Sequence, residues 1–232
     1  MAATEDLFTP VHKGLRSMIY SLSSRLQTND FADVPATRGL VTDLESDFDV
    51  ARSAGCALCV LSHHAVDEES DVFPGVGTVG NGLVASLIEE HHELTRRELA
   101  LATSAHELLA MASPELRVDA GIRLNQAANS LFALYIAHMN REESDLVPLM
   151  REHLTDSQMA KMRGTIISRM PPERLFALLG WMLPSLNVSE LSGMLSAVRP
   201  GMPPPAFRAV TDLCAAKVDP SRWNEVKVRV GL

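Results

Sequence analysis

Two segments of the chain echo one another, HAVDEESDVFP at residues 64–74 and HMNREESDLVP at residues 138–148. Each carries a histidine and a glutamate four residues apart, His64 with Glu68 and His138 with Glu142. Positions four apart share one face of an α-helix. Leucines lead into each pair at helical spacing, Leu58 and Leu61 before the first, Leu124, Leu131 and Leu134 before the second. The polar pairs therefore continue apolar stripes, and such stripes face a core. Any fold of this chain must place two imidazoles and two carboxylates inside, where an unsatisfied polar group costs on the order of several kcal/mol.

The rest of the chain has the same period. No stretch alternates β-branched residues as a strand does, so the fold class is all-α. A first helix is expected over 10–27, with Thr9 as its cap, Pro10 in its first turn and His12, Leu15, Ile19, Leu22 and Leu26 on one face. A second helical region spans 36–72, bent or closely packed at Gly55 and ended by Pro74 and PGVGTVGNG. A third covers 82–111, with Val84, Leu87, Ile88, His91, Leu94, Leu101 and Leu108 inward. Ser113-Pro114 opens a fourth over 115–151, interrupted near Gly121. Four such helices with short connections form an up-down four-helix bundle over residues 1–152. Beyond it, prolines and two capping boxes, Thr155 to Gln158 and Asn187 to Glu190, divide residues 153–232 into short helices over 156–169, 173–183, 188–198, 205–216 and 221–229. This extension is expected to pack on the bundle or to form an oligomer surface, as in a homodimer.

A lone core histidine such as His12 is ordinarily just hydrogen-bonded. Here His12 and His91 fall on the inner stripes of the two helices that lack the repeat, so all four helices aim ligands inward. In the doublet His63-His64, His64 repeats the spacing of His138 to Glu142. In His91-His92, His91 has the apolar neighbours, and His92 has Arg96 four residues on; Glu89, Glu90 or His92 remain as extra ligands. The set His12, His64, Glu68, His91, His138 and Glu142 is too large for one tetrahedral zinc. It suits two borderline ions bridged by Glu68 and Glu142, with His12 and His64 on one and His91 and His138 on the other. Iron is the first expectation, and manganese or zinc are substitutes. The ferritin-type E-x-x-H occurs once, Glu89 to His92, and H-E-x-x-H is absent. Tyr135, three residues before His138, is either core filler or a hydrogen-bond donor to a bound oxo or peroxo group. Cys56 and Cys59 form a C-x-x-C read mainly as small buried helix residues, with redox or metal roles as alternatives; His106 and His153 are expected at the surface.

Composition narrows the partners. Of 232 residues, 46% are apolar and 22% charged, enough for a packed core. Lys plus Arg number 21 against 29 Asp plus Glu, a net charge of -8, which disfavours nucleic acid. No leader pattern or membrane-spanning run is read, and three cysteines suit a reducing, cytoplasmic setting.

The segments HHAVDEESDVFP and HMNREESDLVP, supported by LFTPVHKGLRSM and LIEEHHELTRREL, resemble the hemerythrin-like family, the HHE cation-binding domain, over roughly residues 7–152. The resemblance implies a four-helix bundle holding a non-heme dinuclear iron site. By position it makes His12 the first-helix ligand, His64 and Glu68 the second-helix pair, His91 the third-helix ligand, and His138 and Glu142 the fourth-helix pair. Oxygen carriers of the family have a further histidine where Thr95 stands, and an Asp bridge five residues past the fourth-helix histidine where this chain has Glu142 at four. Both departures count against simple oxygen carriage. The expected function is a dinuclear iron protein that binds or reacts with a small diatomic gas or peroxide (oxygen, peroxide or nitric oxide), served by a redox partner protein. A sensor signalling through the C-terminal helices and a metal-free helical adaptor are the alternatives; catalysis, sensing and storage all fit the ligand set.

Overall fold

A computed structural model describes residues 6–45 and 55–232. Its helices are α1 (Thr9–Thr28), α2 (Val34–Leu44), α3 (Ala57–Asp67), α4 (Phe73–Val76), α5 (Asn81–Ala110), α6 (Pro114–Arg141), α7 (Val147–His153), α8 (Asp156–Arg169), α9 (Pro172–Ser185), α10 (Val188–Val198), α11 (Pro204–Lys217) and α12 (Pro220–Val230). Two π turns, Glu68–Val72 and Glu142–Leu146, join α3 to α4 and α6 to α7.

Helices α1, α3, α5 and α6 surround a common core. Their order is readable from the two apolar clusters that bracket the inward polar residues. Along α1 the chain passes Phe8 of one cluster, then His12, then Leu15 of the other; along α5 it passes Leu87, His91 and Leu94 in the same sense. Along α3 it runs from Leu61 past His64 and Glu68 to Val72, and along α6 from Tyr135 past His138 and Glu142 to Leu146, in the opposite sense. The four helices therefore alternate in direction, as an up-down bundle does.

Several local expectations are corrected. Thr9 is the first residue of α1 and caps nothing; the Asp6 carboxylate instead accepts from the backbone N–H groups of Phe8 and Thr9. The region 36–72 is not one helix. Helix α2 ends where Glu45 turns extended, residues 46–54 lie outside the described residues, and α3 starts afresh with Cys56 as its cap. Pro74 does not end its helix; the chain continues through α4 and turns at Gly77, whose φ of 64° is open to glycine. Gly121 does not interrupt α6. It lies against the Phe31 ring, where a Cβ would come within 2.1 Å, so the glycine serves close packing. Among the described residues, one helical stretch, Ala57–Ala110, contains a window long and apolar enough by composition alone to cross a membrane, although none was expected from the sequence; Leu58, Leu61, Leu87 and Leu94 of this stretch lie in the bundle's clusters.

The C-terminal helices form where their caps predict. Thr155 with Gln158 and Asn187 with Glu190 both complete capping boxes. Helices α9 to α12 enclose an apolar cluster of their own around Leu183, Leu191, Leu195, Cys214 and Val226. Helix α9 lies along α1, and the approach is close: a Cβ on Gly14 would sit 2.9 Å from the backbone of Met182. Gly14→Ala should therefore destabilise the protein. The helix propensity gained is about 1 kcal/mol, but backbone against backbone cannot yield, and such overpacking costs about 1–3 kcal/mol. A lower thermal midpoint with earlier proteolysis of α9–α12 is expected; an unchanged midpoint would show that the two helices separate freely.

Candidate metal centre

All six residues expected from the sequence come together between the two apolar clusters. They form two groups of potential ligands, His12, His64, Glu68 and Glu142 in one, and Glu68, His91, His138 and Glu142 in the other. The glutamates are common to both. Within each group the ligand atoms lie within 4.8 Å of one another, and no other such group occurs among the described residues. The His12 and His64 Nε2 atoms are 3.1 Å apart, and those of His91 and His138 are 2.9 Å apart. Glu68 Oε1 lies 3.0 Å from His64 Nε2, Glu68 Oε2 lies 3.4 Å from His91 Nε2, and Glu142 reaches His12 and His138 at 3.4 Å each.

This spacing fits metal ions. Two donors about 2.1 Å from one ion and at a right angle to each other stand about 3.0 Å apart. The second observation is the state of the carboxylates. Glu68 and Glu142 are buried, and none of their four oxygens has a hydrogen-bond partner. Native proteins rarely leave such atoms unsatisfied. Oxygen and imidazole donors together suit first-row transition metals. The residues fit a dinuclear group.

The repeated segment explains how one helix delivers two glutamates. In both copies the chain makes a π turn over E-E-S-D and its next residue, with Phe73 N–H bonded to Glu68 O and Val147 N–H bonded to Glu142 O. The proline that follows supplies a reason. Pro74 and Pro148 have no N–H for the carbonyl four residues back, and in an α-helix their rings would strike it. A wider turn with i to i+5 bonds accommodates them, and such turns gather at functional sites. The first glutamate then points into the cluster. The second, Glu69 or Glu143, reaches sideways to a histidine of another helix: Glu69 to His91 Nδ1 at 2.8 Å, and Glu143 to His12 Nδ1 at 2.9 Å.

The doublets resolve as the spacing suggests. His91 is buried in the cluster, while His92 is exposed and pairs with Glu89. His64 enters the cluster and His63 does not. Glu89, Glu90 and His92 supply no additional ligand; Glu90 turns outward to His138 Nδ1 at 2.7 Å. Thr95 is exposed. Tyr135 is buried, but its hydroxyl donates to Glu98 and not into the cluster. Burial raises Glu98 to about 7, against the Tyr135 hydrogen bond, and burial with the Glu98 charge raises Tyr135. The sequence reading missed Glu98. Its signal was its place seven residues past His91, on the same inner face. Cys56 and Cys59 begin α3, with Cys56 Sγ accepting the Cys59 N–H, and join neither ligand group. His106 and His153 are exposed as expected, His106 pairing with Glu45.

Without metal, the cluster holds protons in place of cations. Burial disfavours charge on His12, but the carboxylates of Glu142, Glu143 and Glu68 outweigh it and raise His12 to about 10. Burial likewise opposes His138, yet Glu142 and Glu90 raise it to about 9. His64 moves the other way, lowered to about 4 by burial and by the neighbouring His12 and His91 charges. Burial alone would raise Glu68 and Glu142, and the surrounding histidines bring both down instead. His12 and His138 have an ordinary value of 6.5 and are raised on folding. Their stabilisation is complete below that value and is lost as pH rises through 9 to 10. The metal-free protein should thus show a falling denaturation midpoint across that window, and metal uptake should strengthen with pH as these protons leave. A flat midpoint there would contradict this charge balance.

The hemerythrin HHE cation-binding domain matches residues 4–150 of the chain. No curated protein and no solved structure matches it. Bundle, ligand groups and domain match agree, and the chain belongs to the hemerythrin HHE cation-binding family.

Proposed function

We propose that this chain is a non-heme dinuclear iron protein that binds or reacts with a small oxidant, whether oxygen, peroxide or nitric oxide. The observation that carries the reading is the pair of His/Glu groups sharing two buried carboxylates that have no hydrogen-bond partner. His12, His64, Glu68, His91, His138 and Glu142 are the proposed ligands, with Glu68 and Glu142 common to both ions. Iron bound there would supply electron transfer between ferrous and ferric states and positions for an exogenous ligand.

The chain's own part is to bind, to exclude water and to hold charge. Phe8 meets the His12 ring edge-on at 5.4 Å, and Phe73 stacks on the His91 ring at 5.5 Å. With Val72, Leu87 and Leu146 they close one end of the site with apolar surface. Exclusion of water strengthens every electrostatic interaction inside. His64 is the least buried of the six, with 12% of its side chain exposed.

A second reading, a sensor signalling through the C-terminal helices, is favoured by one set of contacts. Arg174 of α9 donates to the His63 carbonyl at 3.0 Å and pairs with Asp67; Arg169 of α8 pairs with Asp71. Both aspartates flank the ligand Glu68. The turn that carries Glu68 is therefore strapped to the extension. Under this reading, Arg174→Ala should remove any difference in protease sensitivity of residues 153–232 between iron-loaded and iron-free protein. No such difference in the unaltered protein would exclude it.

Anaerobic loading with ferrous iron tests the main reading. About two irons per chain are expected, and oxygen should then produce an oxo-to-iron charge-transfer band. Glu68→Ala and Glu142→Ala should each abolish binding of the pair while leaving the helical content intact. Folded protein that takes up no iron would overturn the reading.

A further inference from the structure

Three of the four cluster histidines are gripped from behind. His12 Nδ1 meets Glu143 at 2.9 Å, His91 Nδ1 meets Glu69 at 2.8 Å and His138 Nδ1 meets Glu90 at 2.7 Å. In every case the carboxylate comes from a different helical segment than the imidazole it holds. Two of the carboxylates are themselves fixed: Arg16 donates to Glu143 at 2.8 Å and also to Asn140, while Arg141 pairs with Glu90 and donates to Ser86. His64 has no carboxylate at Nδ1 among the described residues; its contacts are all made through Nε2. Chance surface ion pairs do not select the same outer nitrogen three times.

We propose that Glu69, Glu90 and Glu143 are positioning residues that hold His91, His138 and His12 with Nδ1 protonated and Nε2 aimed into the cluster, and that they make the two metal positions unequal. This rests on the dinuclear reading above. A carboxylate behind a ligand imidazole fixes its tautomer and raises its basicity toward the ion. The group containing His91 and His138 has two imidazoles held this way. The group containing His12 and His64 has one. The first ion therefore binds more tightly than the second, and loading proceeds in two resolvable steps. The doubled glutamate of each repeat gains a division of labour: Glu68 and Glu142 face the ions, while Glu69 and Glu143 tie the neighbouring helix's histidine to the same site.

The test is an anaerobic titration of the full chain with ferrous iron against a competing chelator. Two steps are expected for the unaltered protein. Glu69→Ala and Glu90→Ala should weaken the tighter step by about 10- to 100-fold, and Glu143→Ala the weaker step by a similar factor. Glu→Gln at each position keeps an oxygen to accept the Nδ1 proton and should recover part of the loss, which also covers an alanine variant that folds poorly. Glu89→Ala, at the exposed neighbour of Glu90, should change neither step. Variants that all titrate like the parent, or a parent with two equal sites, would overturn the positioning role alone. A parent that binds no iron would instead overturn the dinuclear reading on which it stands.

Discussion

Two carboxylates buried among four imidazoles are the constraint from which the rest of this structure follows. Glu68 and Glu142 lie in the bundle's interior, within 3.8 Å of the ring nitrogens around them, and find no hydrogen bond. An uncompensated buried charge costs several kcal/mol, and a whole domain is stable by only about 5–15 kcal/mol. The charges must be answered locally. Protons on His12 and His138 do so in the metal-free chain, and metal cations bound between the two His/Glu groups would do so more completely. The apolar clusters on either side deepen the demand, because they keep water from sharing it.

The π turns show how the sequence meets this demand with few residues. An α-helix separates consecutive side chains by about 100°, so a Glu-Glu pair would ordinarily send one residue inward and one to solvent. Widening the turn at Glu68–Val72 and Glu142–Leu146 lets both serve the site, one within the ligand groups and one toward a neighbouring histidine. The prolines at 74 and 148 favour this geometry by denying the α-helical bond. The repeat H-x-x-x-E-E-S-D-x-x-P is thus a local structural instruction as well as a ligand motif.

Much of the bundle and all six cluster residues were legible because helical period and caps act locally. Thr155, Asn187 and Ser113 capped the helices that their spacing announced. What stayed hidden was non-local or depended on rare geometry. A period-based reading carried the second helix through Glu45, since apolar spacing persists on both sides of the break. Pro74 read as a terminator because a π turn is not the default. Gly121 read as an interruption, yet its reason is Phe31, ninety residues earlier. By its spacing Tyr135 is either core filler or a donor to a bound group; it fills the core, and a buried Glu98 on another helix accepts from its hydroxyl. The second glutamates, Glu69 and Glu143, carried no expectation from the sequence, and only the tertiary arrangement places them behind His91 and His12.

The extension beyond the bundle has its own apolar cluster, and Arg169 and Arg174 tie it to the turn that carries Glu68. That link has meaning only if the cluster holds ions. The most direct measurement is anomalous diffraction at the iron edge from crystals of the loaded protein. Two peaks about 3.5–4 Å apart, one beside His12 and His64, the other beside His91 and His138, with Glu68 and Glu142 between them, are predicted. A single peak, or peaks confined to surface carboxylates, would contradict the account.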